Sequence, residues 1–261
     1  MSDAVSEAAE ALVKAYRERE PYRPFAAAFG IASIDAAYAV QREFVRRQMQ
    51  ARATRATGYK IGLTARRMQE MCGIDSPIAG VVLADRVHAS GARLSPSAYG
   101  RLGLEFEIAV RLAHDLAPRG TAVTPDEVAA AVDAVCPAIE IIDDRHADYG
   151  GLDILSVIAD NSWNAGIVLG AFVPPAADLA AVEGVVSENG TVLDRGSGRD
   201  VLGHPFNAVA WLAGHLVDQG TPLRAGDVIM TGNLVTTKFP DRPSVYRFAL
   251  SGLGAVEVAI G

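Results

Sequence analysis

The sequence predicts an α+β fold in which an N-terminal helical region leads into a mixed, mostly antiparallel β core. Helical periodicity fills the first third of the chain, and strands dominate afterwards with only two inserted helices. The regular strand–helix alternation of a doubly wound sheet is missing. The helical region spans 1–57 and the β core 58–261, the two forming one functional unit.

The elements follow in order. An Ala-rich amphipathic stretch over 4–19 makes a first helix. A second starts near Ser33, which can cap it, and runs through Tyr38, Val40, Phe44 and Val45. Tyr59-Lys60-Ile61-Gly62-Leu63 is a short strand, and 65–71 makes one or two helical turns. Strands are expected over 78–83, 104–112, 138–142 and 165–169. Thr124-Pro125-Asp126-Glu127 combines a cap, a first-turn proline and a capping box, and this helix should end near Val135, ahead of Pro137. Asn189-Gly190 between 184–187 and 191–193 signals a type I′ hairpin. A helix over 205–219 stops at Gly220, and strands over 228–230, 245–250 and 255–260 follow.

At 261 residues, half of them hydrophobic, the chain can bury a sizeable core. A net charge of −7 argues against a nucleic-acid partner, which needs a basic face. Arg42, Arg46, Arg47, Arg52 and Arg55 fall on one helix and its exit, as a solvated face would. Residues 1–13 are acidic and Ala-rich, unlike a secretory signal. No run of 18 apolar residues is long enough to span a membrane. Cys72 and Cys136 stand far apart and fit small buried residues better than a disulfide. The expectation is a cytoplasmic protein whose partner is a small molecule.

The most informative segment is Leu104-Glu105-Phe106-Glu107-Ile108. Side chains repeat every two residues on a strand, so Glu105 and Glu107 share a face, about 7 Å apart. Glu140 is embedded in Pro137-Ala138-Ile139-Glu140-Ile141-Ile142. Buried carboxylates need partners, and one divalent cation could serve all three. Oxygen-only ligation points to Mg2+ or Mn2+. The same spacing also fits a solvated sheet face, with Glu140 at an edge or paired with an arginine. Lys60, between glycines that allow close approach, could bind a carboxylate or move a proton. On spacing alone, a snorkelling surface lysine is the simpler reading.

Taken together, the blocks are more specific than any one alone. Gly58-Tyr59-Lys60-Ile61-Gly62-Leu63-Thr64, Glu105-Phe106-Glu107 and Pro137 to Asp143 come first. Ala159-Asp160-Asn161-Ser162, Leu202-Gly203-His204-Pro205 and the run from Leu223 to Gly232 follow. In this order the chain resembles, over nearly its whole length, the hydratase/decarboxylase family of the fumarylacetoacetate-hydrolase-like superfamily. These enzymes serve meta-cleavage degradation of aromatic compounds.

The resemblance implies a β-roll core of the fumarylacetoacetase C-terminal-domain type. It implies Mg2+ on Glu105, Glu107 and Glu140, a 2-oxo acid chelating it, and Lys60 as a polar or proton-transfer group. Leu63, Ile78, Asn161, Ser162, Thr231 and Gly232 would shape the substrate pocket, while His204 would only pack at a helix start. A homo-oligomer, or a hetero-complex with a sibling enzyme, is also implied. The shared ligands serve both a 2-oxo-3-enedioate decarboxylase and a 2-hydroxypentadienoate hydratase. Ile78 stands where the hydratases resemble one another in carrying an acid, and Asp153 to Asp160 also looks decarboxylase-like. Tyr59 is commoner on the hydratase side. The reading leans to decarboxylation, with hydration as the alternative. More distant are a C–C hydrolase, which would want a His/Glu pair, and an inactive complex partner. The segment from Asn233 to Pro243 departs from the family, and Lys238 or Arg242 there is expected to read a distal carboxylate.

Overall fold

The alternation in Glu105-Phe106-Glu107 is what builds the interior. Phe106 points to one side of its strand, where its ring lies 5.6 Å from Phe248 and 6.3 Å from Tyr246 of a second sheet. The two glutamates therefore point to the other side. The computed structural model describes residues 3–117, 122–175 and 178–261.

The chain runs through α1 (Asp3–Glu18), α2 (Ile34–Ala51), β1 (Ala56–Gly62), α3 (Arg66–Met71), β2 (Ile78–Leu83), β3 (Val87–Ala89) and β4 (Ala92–Leu94). Next come β5 (Leu102–Leu112), α4 (Pro125–Ala131), β6 (Val132–Asp143), α5 (Ile154–Ala159) and β7 (Asn164–Leu169). Then follow β8 (Glu183–Glu188), β9 (Thr191–Ser197), α6 (Pro205–Asp218), β10 (Val228–Asn233), β11 (Ser244–Leu250) and β12 (Gly254–Ile260). One sheet has the order β2-β1-β10-β5-β6-β7-β3 and the other β4-β12-β11-β8-β9. β1–β10, β3–β7 and β4–β12 pair in parallel and the remaining pairs are antiparallel, so the core is mixed, as the α+β reading expects.

Ser33 accepts from the Ala36 N–H and caps α2. α2 is tied to the site through Gln41, whose amide donates to Ala79 O and Ile158 O at 2.8 Å each. On its outer side Glu43 accepts from Arg46 and Arg47. Asn189 and Gly190 both take positive φ, 49° and 83°, as a type I′ turn requires. The free thiols differ: Cys136 is buried, but Cys72 is only half-buried, contrary to the expectation for both.

The helix expected to reach Val135 ends at Ala131, and β6 begins at Val132. The β-branched Val132 and Val135 suit a strand, and Pro137 is accommodated in mid-strand. Its carbonyl accepts from Gly170 N–H just past the end of β7, so its missing N–H faces that end and costs the β5 ladder nothing. β3, β4 and α5 were not expected; the two strands are three residues long and borrow their shape from their neighbours. One continuous core extends from Val5 on α1 to Ile260 on β12. No helix among the described residues is long and apolar enough to cross a membrane.

Candidate active site

Four neighbouring strands of the larger sheet supply the site. β5 carries Glu105 and Glu107, β6 carries Glu140 directly opposite Glu105, β1 carries Lys60, and β10 carries Gly232. Like charges directly across a ladder are unfavourable, yet one carboxylate oxygen from each glutamate lies within 4.8 Å of the others. At an effective dielectric constant of about 20, each such pair repels by on the order of 3 kcal/mol. Glu107 and Glu140 are fully buried, and Lys60 is 4% exposed.

Each carboxylate is held by one or two donors. Gly232 N–H donates to Glu107 Oε2 at 2.7 Å, and the Thr237 hydroxyl to Glu105 Oε1 at 2.7 Å. Glu140 Oε1 accepts from Asn164 Nδ2 at 3.0 Å and faces Lys60 Nζ at 3.3 Å. Glycine is required at 232, where φ is +126° and a Cβ would stand 2.5 Å from the Thr64 hydroxyl. At Gly58 the close neighbour is the Val228 backbone, 1.9 Å from an added Cβ, so that glycine serves strand pairing and not ligand approach.

Glu107 Oε1 and Glu140 Oε2 are buried and have no hydrogen-bond partner. Unsatisfied buried carboxylate oxygens are costly. Three convergent carboxylates with two orphaned oxygens fit a hard divalent cation in donor type and charge. Without one, burial and then Glu140 and Glu105 push the Glu107 carboxyl well above its usual range. Burial raises Glu140 to about 7 against the opposing pull of Lys60. Burial alone would lower the Lys60 ammonium, but Glu140, Glu105 and Glu107 together outweigh it and raise it. The carboxylates thus favour the cationic form of Lys60 in the metal-free cluster.

A pH dependence follows from these shifts. A carboxyl raised from 4.5 to about 7 gives the metal-free protein stability that is complete below pH 4.5 and is lost as pH rises to 7. Mg2+ replaces those protons, so its stabilisation should be larger at pH 8 than at pH 5.5. Melting curves in Mg2+ and in EDTA at both pH values measure this, and equal increments would count against it.

Lys60, Leu63, Ile78, Ser162 and Glu105 line a cavity of about 110 Å3 together with Tyr149, Trp163, Thr237 and Cys72. Thr231 and Gly232 do not line it. Thr231 is fully buried and donates to Ile108 O at 2.8 Å, and Gly232 acts on Glu107. Asn161 lies outside it too, its amide clamping Val81 N–H and C=O at 2.7 and 2.9 Å. His204 caps α6 through Nδ1, as expected. Lys238 and Arg242 do not reach the cavity either, since Lys238 Nζ pairs with Asp194 at 2.6 Å and Arg242 with Glu188 at 3.0 Å. Their segment instead lies along β5, where Lys238 exchanges two backbone bonds with Leu104, and this delivers Thr237 to Glu105.

Sequence reasoning missed Asn164, Thr237 and Tyr149. The Tyr149 hydroxyl donates to Asp144, which Arg101 also grips, while the Arg101 guanidinium lies 4.5 Å over Phe239. Asp160 of the Ala-Asp-Asn-Ser block pairs with buried Arg145 at 2.5 Å and does not line the cavity.

Comparison with known proteins agrees with this architecture. The chain is 33% identical over 252 residues, 96% of its length and 92% of the relative's, to a 2-keto-4-pentenoate hydratase of Paraburkholderia xenovorans (strain LB400). It is 34% identical over 232 residues, 86% of each chain, to a 2-oxo-hept-4-ene-1,7-dioate hydratase of Escherichia coli. Among solved structures, 4-oxalocrotonate decarboxylase from Pseudomonas putida G7, complexed with magnesium and adipate, superposes with a TM-score of 0.91 at 30% identity. That match covers 98% of this chain and 97% of the other. The family model for the fumarylacetoacetate (FAA) hydrolase C-terminal region matches residues 39–260, and the chain belongs to that family.

Proposed function

We propose that this enzyme is a Mg2+-dependent lyase for short 2-oxo acids, and that it removes CO2 from a 2-oxo-3-enedioate. Glu105, Glu107 and Glu140 would hold the cation, with Mn2+ as a substitute. A cation there supplies Lewis acidity at the 2-oxo group. The observation that carries the choice of reaction is the composition of the cavity wall. Ile78, Ile142, Leu152 and Val157 make one apolar part of it, and Lys60 and Glu105 are the charged side chains in the rest of the lining among the described residues. An apolar wall disfavours a carboxylate relative to CO2.

Hydration needs a group that can exchange a proton with water near neutrality. The titratable side chains lining the cavity are Lys60, Glu105, Tyr149 and Cys72. Glu105 is engaged by Thr237; burial, and then Asp144, pushes the Tyr149 hydroxyl up, and burial pushes the Cys72 thiol up. Lys60 remains, a protonated group able to hold a substrate carboxylate or return a proton to carbon after CO2 leaves. No histidine lines the cavity among the described residues, which disfavours a water-activating His/Glu pair.

Hydration of a 2-hydroxydienoate is the second reading, favoured by the names of the two relatives at 33% and 34% identity. An assay with Mg2+ on 2-oxo-3-hexenedioate and 2-hydroxypenta-2,4-dienoate, following CO2 and dienol absorbance, separates the two. CO2 from the first substrate is expected. Consumption of the second without CO2 would establish hydration instead.

A further inference from the structure

Asn164 opens β7 directly after three residues in left-handed backbone, none of them glycine. Asn161, Ser162 and Trp163 have φ of 52°, 48° and 60°. Each costs about 1–2 kcal/mol, and such conformations persist only where the surroundings impose them. Here the Asn161 amide clamps β2, the Ser162 hydroxyl donates to Ala79 O at 3.2 Å, and the Trp163 ring meets Tyr22 edge-on at 5.3 Å. The register shifts just after this turn, next to Gly166 with its φ of 149°, so that Ile141 pairs with Gly166 but Ile142 with Asn164. That shift accompanies an Asn164 amide placed on Glu140.

Glu140 Oε1 thus has two partners, Asn164 Nδ2 and Lys60 Nζ, while Oε2 has none. We infer that Asn164 is a positioning residue that fixes Glu140 for the cation and frees Lys60 to turn to the substrate. This rests on the proposed metal set. If Lys60 left Glu140 with no other donor present, a buried carboxylate oxygen would be stranded, which is expensive. With the amide in place the oxygen stays satisfied and Lys60 moves at little cost. Asn164 also lines a second cavity, of about 340 Å3, and so stands between that space and Glu140.

The test is Mg2+ titration by calorimetry, with steady-state kinetics on whichever acid the parent enzyme turns over. Asn164→Leu keeps the partition filled but donates nothing, and Asn164→Ser restores a small donor. The leucine variant should bind Mg2+ 10- to 100-fold more weakly and lose kcat with KM little changed. Serine should recover part of both. A leucine variant binding Mg2+ within twofold of the parent overturns the inference. Should leucine prevent folding, Asn164→Ala against Asn164→Ser carries the test, and equal Mg2+ affinity in those two overturns it. A parent protein that takes up no Mg2+ removes the metal reading and this inference together; a parent that binds while the leucine variant binds equally removes only this one.

Discussion

Glu107→Gln is expected to abolish Mg2+-dependent turnover while raising the melting temperature of the metal-free protein. Glutamine keeps the volume and, with its carbonyl oxygen toward Gly232 N–H, the acceptor there; its amide NH2 takes the place of the unpartnered Oε1 beside two carboxylates that can accept from it. Glu107 is fully buried with Oε1 unpartnered beside two other carboxylates, so in the absence of a cation its charge is a burden. Relieving it should add roughly 1–3 kcal/mol of metal-free stability, with the largest gain at pH 8, where the carboxyl is pressed to ionise. Removing one of three anionic ligands should cost on the order of 10³-fold in turnover or more. Kinetics in Mg2+ and melting in EDTA make the two measurements. Full activity, or a lower metal-free melting temperature, would contradict the assignment.

Lys60→Met should lower kcat by roughly 10²- to 10⁴-fold, the range for losing a positioned proton-transfer group. Mg2+ affinity should hold or tighten, because the buried ammonium 3.3 Å from Glu140 competes with a cation for the same carboxylates. The metal-free variant should lose stability relative to the parent as pH rises past 7, because Glu140, raised to about 7 even with Lys60 beside it, is pushed higher still without that partner, and Mg2+ should reverse this. Calorimetry alongside kinetics decides the matter: equal loss of metal affinity and turnover would mean that Lys60 merely supports the cluster.

The parts of this site legible in the sequence are those with a local signature. Glu105 and Glu107 announce themselves because a period of two puts them on one face while Phe106 takes the other. Glu140 stands out as a charge inside an apolar run. The α+β class follows from where helical and strand periodicities fall. Pro137 misled because its penalty depends on which edge of the strand its nitrogen faces, and that is set by where β7 stops. Thr237 and Asn164 were illegible for a related reason. One reaches Glu105 across 132 positions, and the other follows three left-handed residues of which only Asn161 is a type that favours that conformation. Lys238 and Arg242 looked like substrate contacts by position alone, but Asp194 and Glu188 claim them.

The parallel pairing of β1 with β10 joins Tyr59 to Ile229 and Lys60 to Met230. During N-to-C synthesis all three glutamates and Lys60 exist well before the strand that seats between β1 and β5. Until β10 emerges, β1 can pair with β2 but has an open edge on its other side, and β5 lies with β6 as a separate antiparallel pair. Such edges invite pairing with foreign strands, and long-range parallel closure is intrinsically slow. Lys60 therefore meets the glutamates of the β5–β6 pair late, and the most aggregation-exposed interval of the nascent chain is the wait for residues 228–233.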